Sequence, residues 1–154
     1  MAAENLHITL AFLGDVPAET IVPLSESIGR ETRNTRPFKL PFARLHPVPN
    51  ARRANMLWAS YDDPDGECAA LANAVGAACA SFGIALEDRA FKAHVTLART
   101  RRARHLGDAA TQALSCAEPT VPAFVSVASA TLFASTLTKA GPRYEVLDTW
   151  EYPG

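Results

Sequence analysis

The chain has 154 residues, 48% of them hydrophobic, and a formal charge of -1 at neutral pH. That length can bury a core without disulfide staples, and that apolar content excludes a disordered chain; the near-zero charge carries no global signature of a nucleic-acid binder. No apolar run reaches the length of a membrane span, and "MAAEN" leads straight into a strand pattern without a charged leader, so one soluble, cytoplasmic domain with no membrane partner is expected over residues 1–154.

The first element is "NLHITLAFL", whose alternation puts Leu6, Ile8, Leu10 and Phe12 on one strand face and His7, Thr9, Ala11 and Leu13 on the other before Gly14 and Asp15 break it. A helix is expected from about Ala18 to Thr32, with Ile21, Leu24 and Ile28 at helical spacing and Pro23 either in its first turn or delaying its start. "FKLPFARL" and "ANMLWASYD" read as strands separated by the loop "HPVPNARR". Asp63, Pro64 and Asp65 mark the start of a second helix over Gly66 to Phe82, carried by Leu71, Val75, Ala78 and Phe82 and stopped by Gly83. "FKAHVTLAR" returns to the strand pattern, and a short helix is expected around Leu106 to Leu114. The chain closes with "AFVSVASATLFAS" and "RYEVLDTWEY", two β-rich segments joined by a turn around Lys139 to Pro142. Mixed helices and neighbouring strands in this order predict an α+β fold rather than a doubly wound parallel sheet. Cys68, Cys79 and Cys116 fit neither a C-x-x-C motif nor a disulfide framework and are expected to be buried free thiols.

Aligning His7 with His94 also matches Thr9 with Thr96, Leu10 with Leu97 and Ala11 with Ala98. A His-x-Thr pair in a strand puts an imidazole and a hydroxyl side by side on one face. For one such pair, a satisfied histidine beside a strand-forming threonine is the ordinary reading; repetition with matched flanks favours a shared site, with the two motif strands meeting at a cleft. Two imidazoles and two hydroxyls around one phosphorus are what in-line displacement needs: one ring takes a proton from water, the other gives one to the leaving oxygen, and the hydroxyls hold the non-bridging oxygens. Metal binding has little support, because His46 and His105 are the only other imidazoles and no H-E-x-x-H spacing exists. A cysteine nucleophile has no sequence neighbour at either motif. Arg99, Arg101, Arg102, Arg104 and His105 cluster after the second motif, with Arg52 and Arg53 as a smaller group, a pattern that is either a solvated face or a surface for phosphate.

"ENLHITLAFLG" and "FKAHVTLAR", with "MLWAS" between them and "LFASTLTKAGPRYEVL" near the end, resemble the two-histidine (2H) phosphoesterase superfamily, in particular the RNA 2',3'-cyclic phosphodiesterases, or LigT-like 2'-5' RNA ligases, over about Glu4 to Val146. The resemblance implies a bilobal, pseudo-two-fold α+β fold in which antiparallel sheets line a central cleft and helices lie outside. It also implies metal-independent opening of RNA 2',3'-cyclic phosphates to 2'-phosphomonoesters without a cofactor, and in some members 2'-5' ligation. Carried over by motif, His7 and His94 are the catalytic acid and base, and Thr9 and Thr96 bind phosphoryl oxygens. Arg99 falls at an arginine position of the family that suits phosphate binding, although plain alternation puts it opposite His94 unless the strand bulges. For Ser135 and Tyr144 packing is the expected role. Against the family pattern, a strand and helix usually found before the first motif do not precede it, so the chain is expected to be a fragment or an N-terminally shortened domain that either self-associates through the side left open or is much less stable than a full-length relative. The rival expectations are a relative acting on a small cyclic nucleotide such as ADP-ribose cyclic phosphate, and an RNA-end-binding module with impaired catalysis.

Overall fold

The structure is a computed structural model and describes residues 5–86, 90–138 and 141–153. Its elements run α1 (Ala18–Thr32), β1 (Phe38–Val48), a 3-10 turn (Ala51–Arg53), β2 (Ala54–Tyr61), α2 (Glu67–Ala80), β3 (His94–Arg104), α3 (Asp108–Ala117), a second 3-10 turn (Glu118–Thr120), β4 (Phe124–Val127), β5 (Ser129–Thr138) and β6 (Gly141–Glu151). Mixed helices and antiparallel pairings make it α+β, as the element order predicts. Residues 1–9, 39–69 and 91–125 form one compact unit, and 10–38, 70–90 and 126–154 form a second.

Unit 1 holds most of a four-stranded sheet ordered β3-β2-β1-β4. Ala59, Ala93 and Val95 are buried on or beside its strands. The start of α2 is capped by the Asp63 carboxylate, which accepts from the backbone N–H of Cys68 at 3.2 Å and Ala69 at 2.8 Å; those are orphan donors of a helix's first turn. β1 extends past Leu45 through His46, Pro47 and Val48, three residues expected in a loop. Proline is tolerated there because β4 has only four residues against the eleven of β1, and the N–H of Leu45 is taken by the Glu118 carboxylate at 2.8 Å instead of by a strand.

Unit 2 buries Leu24, Ile28, Val75, Ala78 and Cys79 as its core, with Leu10, Ala11, Leu13, Val16 and Trp150 packed against them. Pro23 is the sixth residue of α1, not part of its first turn; it removes the one backbone bond that would run to Glu19, and the buried Leu24 and Ile28 hold the helix together. Gly83, at φ 72°, ends the turn after α2 in a left-handed conformation that costs glycine little. The unit's sheet is the β5-β6 pair. Ser25 donates a hydrogen bond to the Asp148 carboxylate, joining α1 to β6.

Three further expectations need correction. "NLHITLAFL" is not a regular strand: it makes one isolated bridge at Ile8, and Leu10, Ala11 and Leu13 all pack on the unit 2 core while Phe12 is 79% exposed. The alternation fails because the chain passes from unit 1 to unit 2 after Thr9, so no single sheet imposes its period. Cys116 is exposed, unlike Cys68 and Cys79, because α3 has no buried residue. The expected continuous segment "AFVSVASATLFAS" is two strands, β4 and β5, that enter different sheets. Of the turn around Lys139 to Pro142, residues 139 and 140 lie outside the described residues. Among the described residues no helix is long and apolar enough to cross a membrane.

Candidate functional site

Both His-x-Thr pairs belong to unit 1, and the chain brings them together directly. Ile8 and Val95 form an antiparallel bridge. In that register His7 stands opposite Thr96 and Thr9 opposite His94, and all four project to the face away from Ile8 and the buried Val95. The bridge is thus a local two-fold centre relating one pair to the other. All four side chains are half-buried.

The two imidazoles are held alike. Nδ1 of His7 lies 2.8 Å from the carbonyl oxygen of Asn5, and Nδ1 of His94 lies 2.7 Å from that of Lys92, two residues back in each case. A carbonyl oxygen only accepts, so each Nδ1 carries the proton and each neutral ring keeps its lone pair at Nε2. Nε2 is then the atom at which either ring can take a proton when neutral or give one when charged.

The neighbouring strand register decides which other residues share this face. Ser60 pairs with His94 and Trp58 with Thr96, but Leu57 pairs with Ala98 and Met56 with Arg99. Between the Trp58 and Leu57 rungs β3 therefore spends one extra residue, Leu97. That bulge resets the alternation. Met56, Trp58 and Ser60 share a face by the period of two, so Arg99, opposite Met56, joins His94 and Thr96 on it. Plain alternation placed Arg99 on the wrong side, and the single inserted residue is the reason it does not stay there. Arg99 is exposed.

The same rule carries the face onto β1, where His46 pairs with Trp58 and Arg44 with Ser60. Sequence reasoning assigned no role to Trp58, Ser60 or His46. The Trp58 indole stacks on the His94 ring with centroids 3.6 Å apart and planes at 22°, while His46 meets the indole edge-on at 6.0 Å and 84°. His46 Nε2 is in turn 2.7 Å from the Ser60 hydroxyl. The indole is therefore clasped between two imidazoles, one fixed by a serine and the other by a backbone carbonyl. Its own N–H is buried without an acceptor among the described residues, so what Trp58 contributes there is its ring face, not a hydrogen bond. The cue available in sequence was "MLWAS" running beside the second motif, but only the register says which side the tryptophan takes.

Burial first, then the positive charges of Arg44, His94 and Lys92, lower the pKa of His46 from the ordinary imidazole value of 6.5. The fold thus favours the neutral ring, whereas the unfolded chain protonates it sooner as pH falls. The stability tied to His46 is whole above the ordinary value and is lost as pH drops below it. His46→Gln keeps a partner for Ser60 and removes the titration. Its thermal midpoint should fall less steeply than that of the unsubstituted chain between about pH 7.5 and 5.5, read by circular dichroism; equal slopes would contradict the assignment.

The chain is similar to known proteins over most of its length. Residues 1–136 match the family model of the 2'-5' RNA ligase superfamily. A curated RNA 2',3'-cyclic phosphodiesterase of Escherichia coli K12 is 31% identical over 150 residues, covering 97% of this chain and 77% of that protein; one from Aeropyrum pernix is 32% identical, covering 94% and 80%. The crystal structure of E. coli LigT complexed with 3'-AMP superposes with a TM-score of 0.73 at 30% identity, covering 99% of this chain and 80% of that one. The chain spans 44% of the length of a Geobacillus stearothermophilus relative and 54% of one from Archaeoglobus fulgidus. A matched fold and a family model that takes in most of the sequence make the chain a member of the 2'-5' RNA ligase superfamily of two-histidine phosphoesterases.

Proposed function

We propose that this chain hydrolyses 2',3'-cyclic phosphate ends of RNA to 2'-phosphomonoesters, with His7 and His94 as general acid and base. The observation that carries the reading is the Ile8–Val95 bridge, which sets two imidazoles and two threonine hydroxyls on one face. The names and structures of the relatives supply the substrate class.

In the proposed step His94, neutral at Nε2, takes a proton from water as the water oxygen bonds to phosphorus. The bond from phosphorus to O3' breaks, and His7, charged, gives its Nε2 proton to O3'. The phosphate stays on O2'. Thr9 and Thr96 donate hydrogen bonds to the non-bridging oxygens, and Arg99 balances their charge from the same face. The same displacement with an RNA 5'-hydroxyl in place of water makes a 2'-5' linkage, so ligation needs no further group. None of these steps calls on a metal or cofactor. Trp58 acts through His94: a stacked aromatic pair is worth about 0.5–1.5 kcal/mol and fixes the plane of the ring whose Nε2 must meet water.

A cytoplasmic setting belongs to the same proposal, supported by Cys68 and Cys79, which are buried and unpaired; burial pushes the Cys68 thiol up to about 11, away from the reactive thiolate. Self-association is also part of it, supported by the exposure of Phe12, Val22 and Val146 at 79%, 67% and 60%.

Three measurements test this reading. On an oligonucleotide ending in a 2',3'-cyclic phosphate, His7→Ala and His94→Ala should each lower turnover by about 10²- to 10⁴-fold, and EDTA should change nothing; turnover that survives both substitutions would leave a binding module, and loss of turnover in EDTA would refute the metal-free step. Faster turnover of ADP-ribose cyclic phosphate than of the oligonucleotide would move the substrate to a small cyclic nucleotide. Trp58→Ala should lower kcat by about tenfold with little change in KM, whereas Trp58→Phe, which keeps a ring face and drops the orphan N–H, should restore most of it. A fall in KM-dependent rate alone, or no rescue by phenylalanine, would contradict a positioning role. Sedimentation velocity at micromolar concentration should give a species larger than the monomer; a lone monomer would remove self-association from the proposal.

A further inference from the structure

The charges of this nearly neutral chain are segregated to an extent its total hides. Residues 38–61 and 92–104, which cover β1, β2, β3 and the first 3-10 turn, hold nine of the fifteen lysines and arginines and none of the sixteen acidic residues. The rest of the chain carries six cations and sixteen acids, a formal -10 against +9. So lopsided a distribution suits a polyanionic ligand.

The arginines are also organised. β2 and β3 meet again at Ala54 and Arg104 only after a second register shift, in which β3 spends five residues against two of β2, so that residues 100–103 bulge opposite Asn55. Beyond that point the backbone N–H of Leu106 donates to the carbonyl of Ala51 at 2.7 Å, pinning the Ala51–Arg53 turn against the end of β3. Asn50 caps the turn by accepting from the backbone N–H of Arg52 at 3.0 Å and Arg53 at 3.2 Å, and the Thr100 hydroxyl donates to the Arg102 carbonyl at 2.9 Å. Arg52, Arg53, Arg101, Arg102 and Arg104 are all exposed. β3 runs from His94 to Arg104, with Arg99 between the His94–Thr96 pair and the outer arginines.

Resting on the cyclic-phosphate reading above, we propose that Arg52, Arg53, Arg101, Arg102 and Arg104 form a shelf that binds the backbone phosphates of single-stranded RNA leading away from the terminal cyclic phosphate. The shelf carries no phenylalanine, tyrosine or tryptophan between residues 49 and 55 or 97 and 107. It offers guanidinium forks and no stacking platform, so it holds phosphates without reading bases. Small cyclic nucleotides are too short to reach it. The shelf therefore makes this chain an enzyme of RNA strands, indifferent to their sequence and sensitive to salt.

The test compares adenosine 2',3'-cyclic phosphate with a twelve-nucleotide RNA carrying the same end, on the intact chain and on the variant R101A/R102A/R104A. For the oligonucleotide, KM should rise at least tenfold in the variant with kcat unchanged, and the slope of log KM against log salt should flatten by about 2, since each lost phosphate contact on a single strand removes about 0.7. For the mononucleotide, kcat/KM should stay the same. Unchanged KM and slope for the oligonucleotide, or an equal loss on both substrates, would overturn the shelf. Should the chain turn over neither substrate, the cyclic-phosphate reading fails by itself; fluorescence anisotropy with a labelled 3'-hydroxyl oligonucleotide then decides the shelf, binding by the intact chain and weakened binding by the variant supporting it. Binding to phosphatidylserine vesicles but not to the oligonucleotide would overturn it in favour of a membrane surface. R52A/R53A is the second variant should the triple one unfold, with a KM rise of smaller size expected.

Discussion

The antiparallel bridge between Ile8 and Val95 fixes which side chains meet in unit 1. One rung of a ladder sets a register, and in a structure of period two a register sets faces. With Ile8 and Val95 turned to one side, His7, Thr9, His94 and Thr96 have only the other side to occupy. A shift of one residue in either segment would send one pair to the opposite face and separate the two imidazoles. The site therefore depends on a backbone contact between two apolar residues that take no part in the chemistry.

Everything else on that face follows from the register of β3, β2 and β1. The extra residue at Leu97 turns Arg99 toward the histidines, the Trp58 indole lies flat on His94, and His46 and Ser60 hold the indole from behind. The arrangement carries a cost: among the described residues the indole N–H has no acceptor, and burial beside positive charges lowers the pKa of the His46 imidazole. Such departures from what stability alone favours are expected where a structure is shaped by a reaction. The positive charge is likewise gathered onto β1, β2 and β3, whose own segments contain no acidic residue, while the Glu118 carboxylate sits against the Leu45 N–H of β1.

Much of this was legible in the sequence, for identifiable reasons. The repeat of His-x-Thr with matched flanks marked the two pairs, and α1 was bounded correctly because Leu24 and Ile28 set its period. The α+β class followed from element order, and the family from the paired motifs. What was not legible depended on pairing between distant segments. Phe12 was expected to share a strand face with Leu6, Ile8 and Leu10 because alternation assumes one continuous sheet, whereas the chain changes units after Thr9 and leaves Phe12 exposed. His46 looked like a loop residue because Pro47 follows it, whereas β1 runs on where β4 does not cover it. The face of Arg99 turned on a bulge that no local pattern announces, and Trp58 was visible as an aromatic but not as the partner of His94.

The claim at the centre is that His7 and His94 act as a unit on one phosphorus. Turnover of a cyclic-phosphate-ended oligonucleotide by His7→Ala, His94→Ala and the double variant tests it most directly, because groups that serve one transition state are not additive. The double variant should be about as slow as the slower single one. Losses that multiply, so that the double variant is slower by the product of the two, would mean that the imidazoles work independently and that their meeting across the bridge has no catalytic meaning.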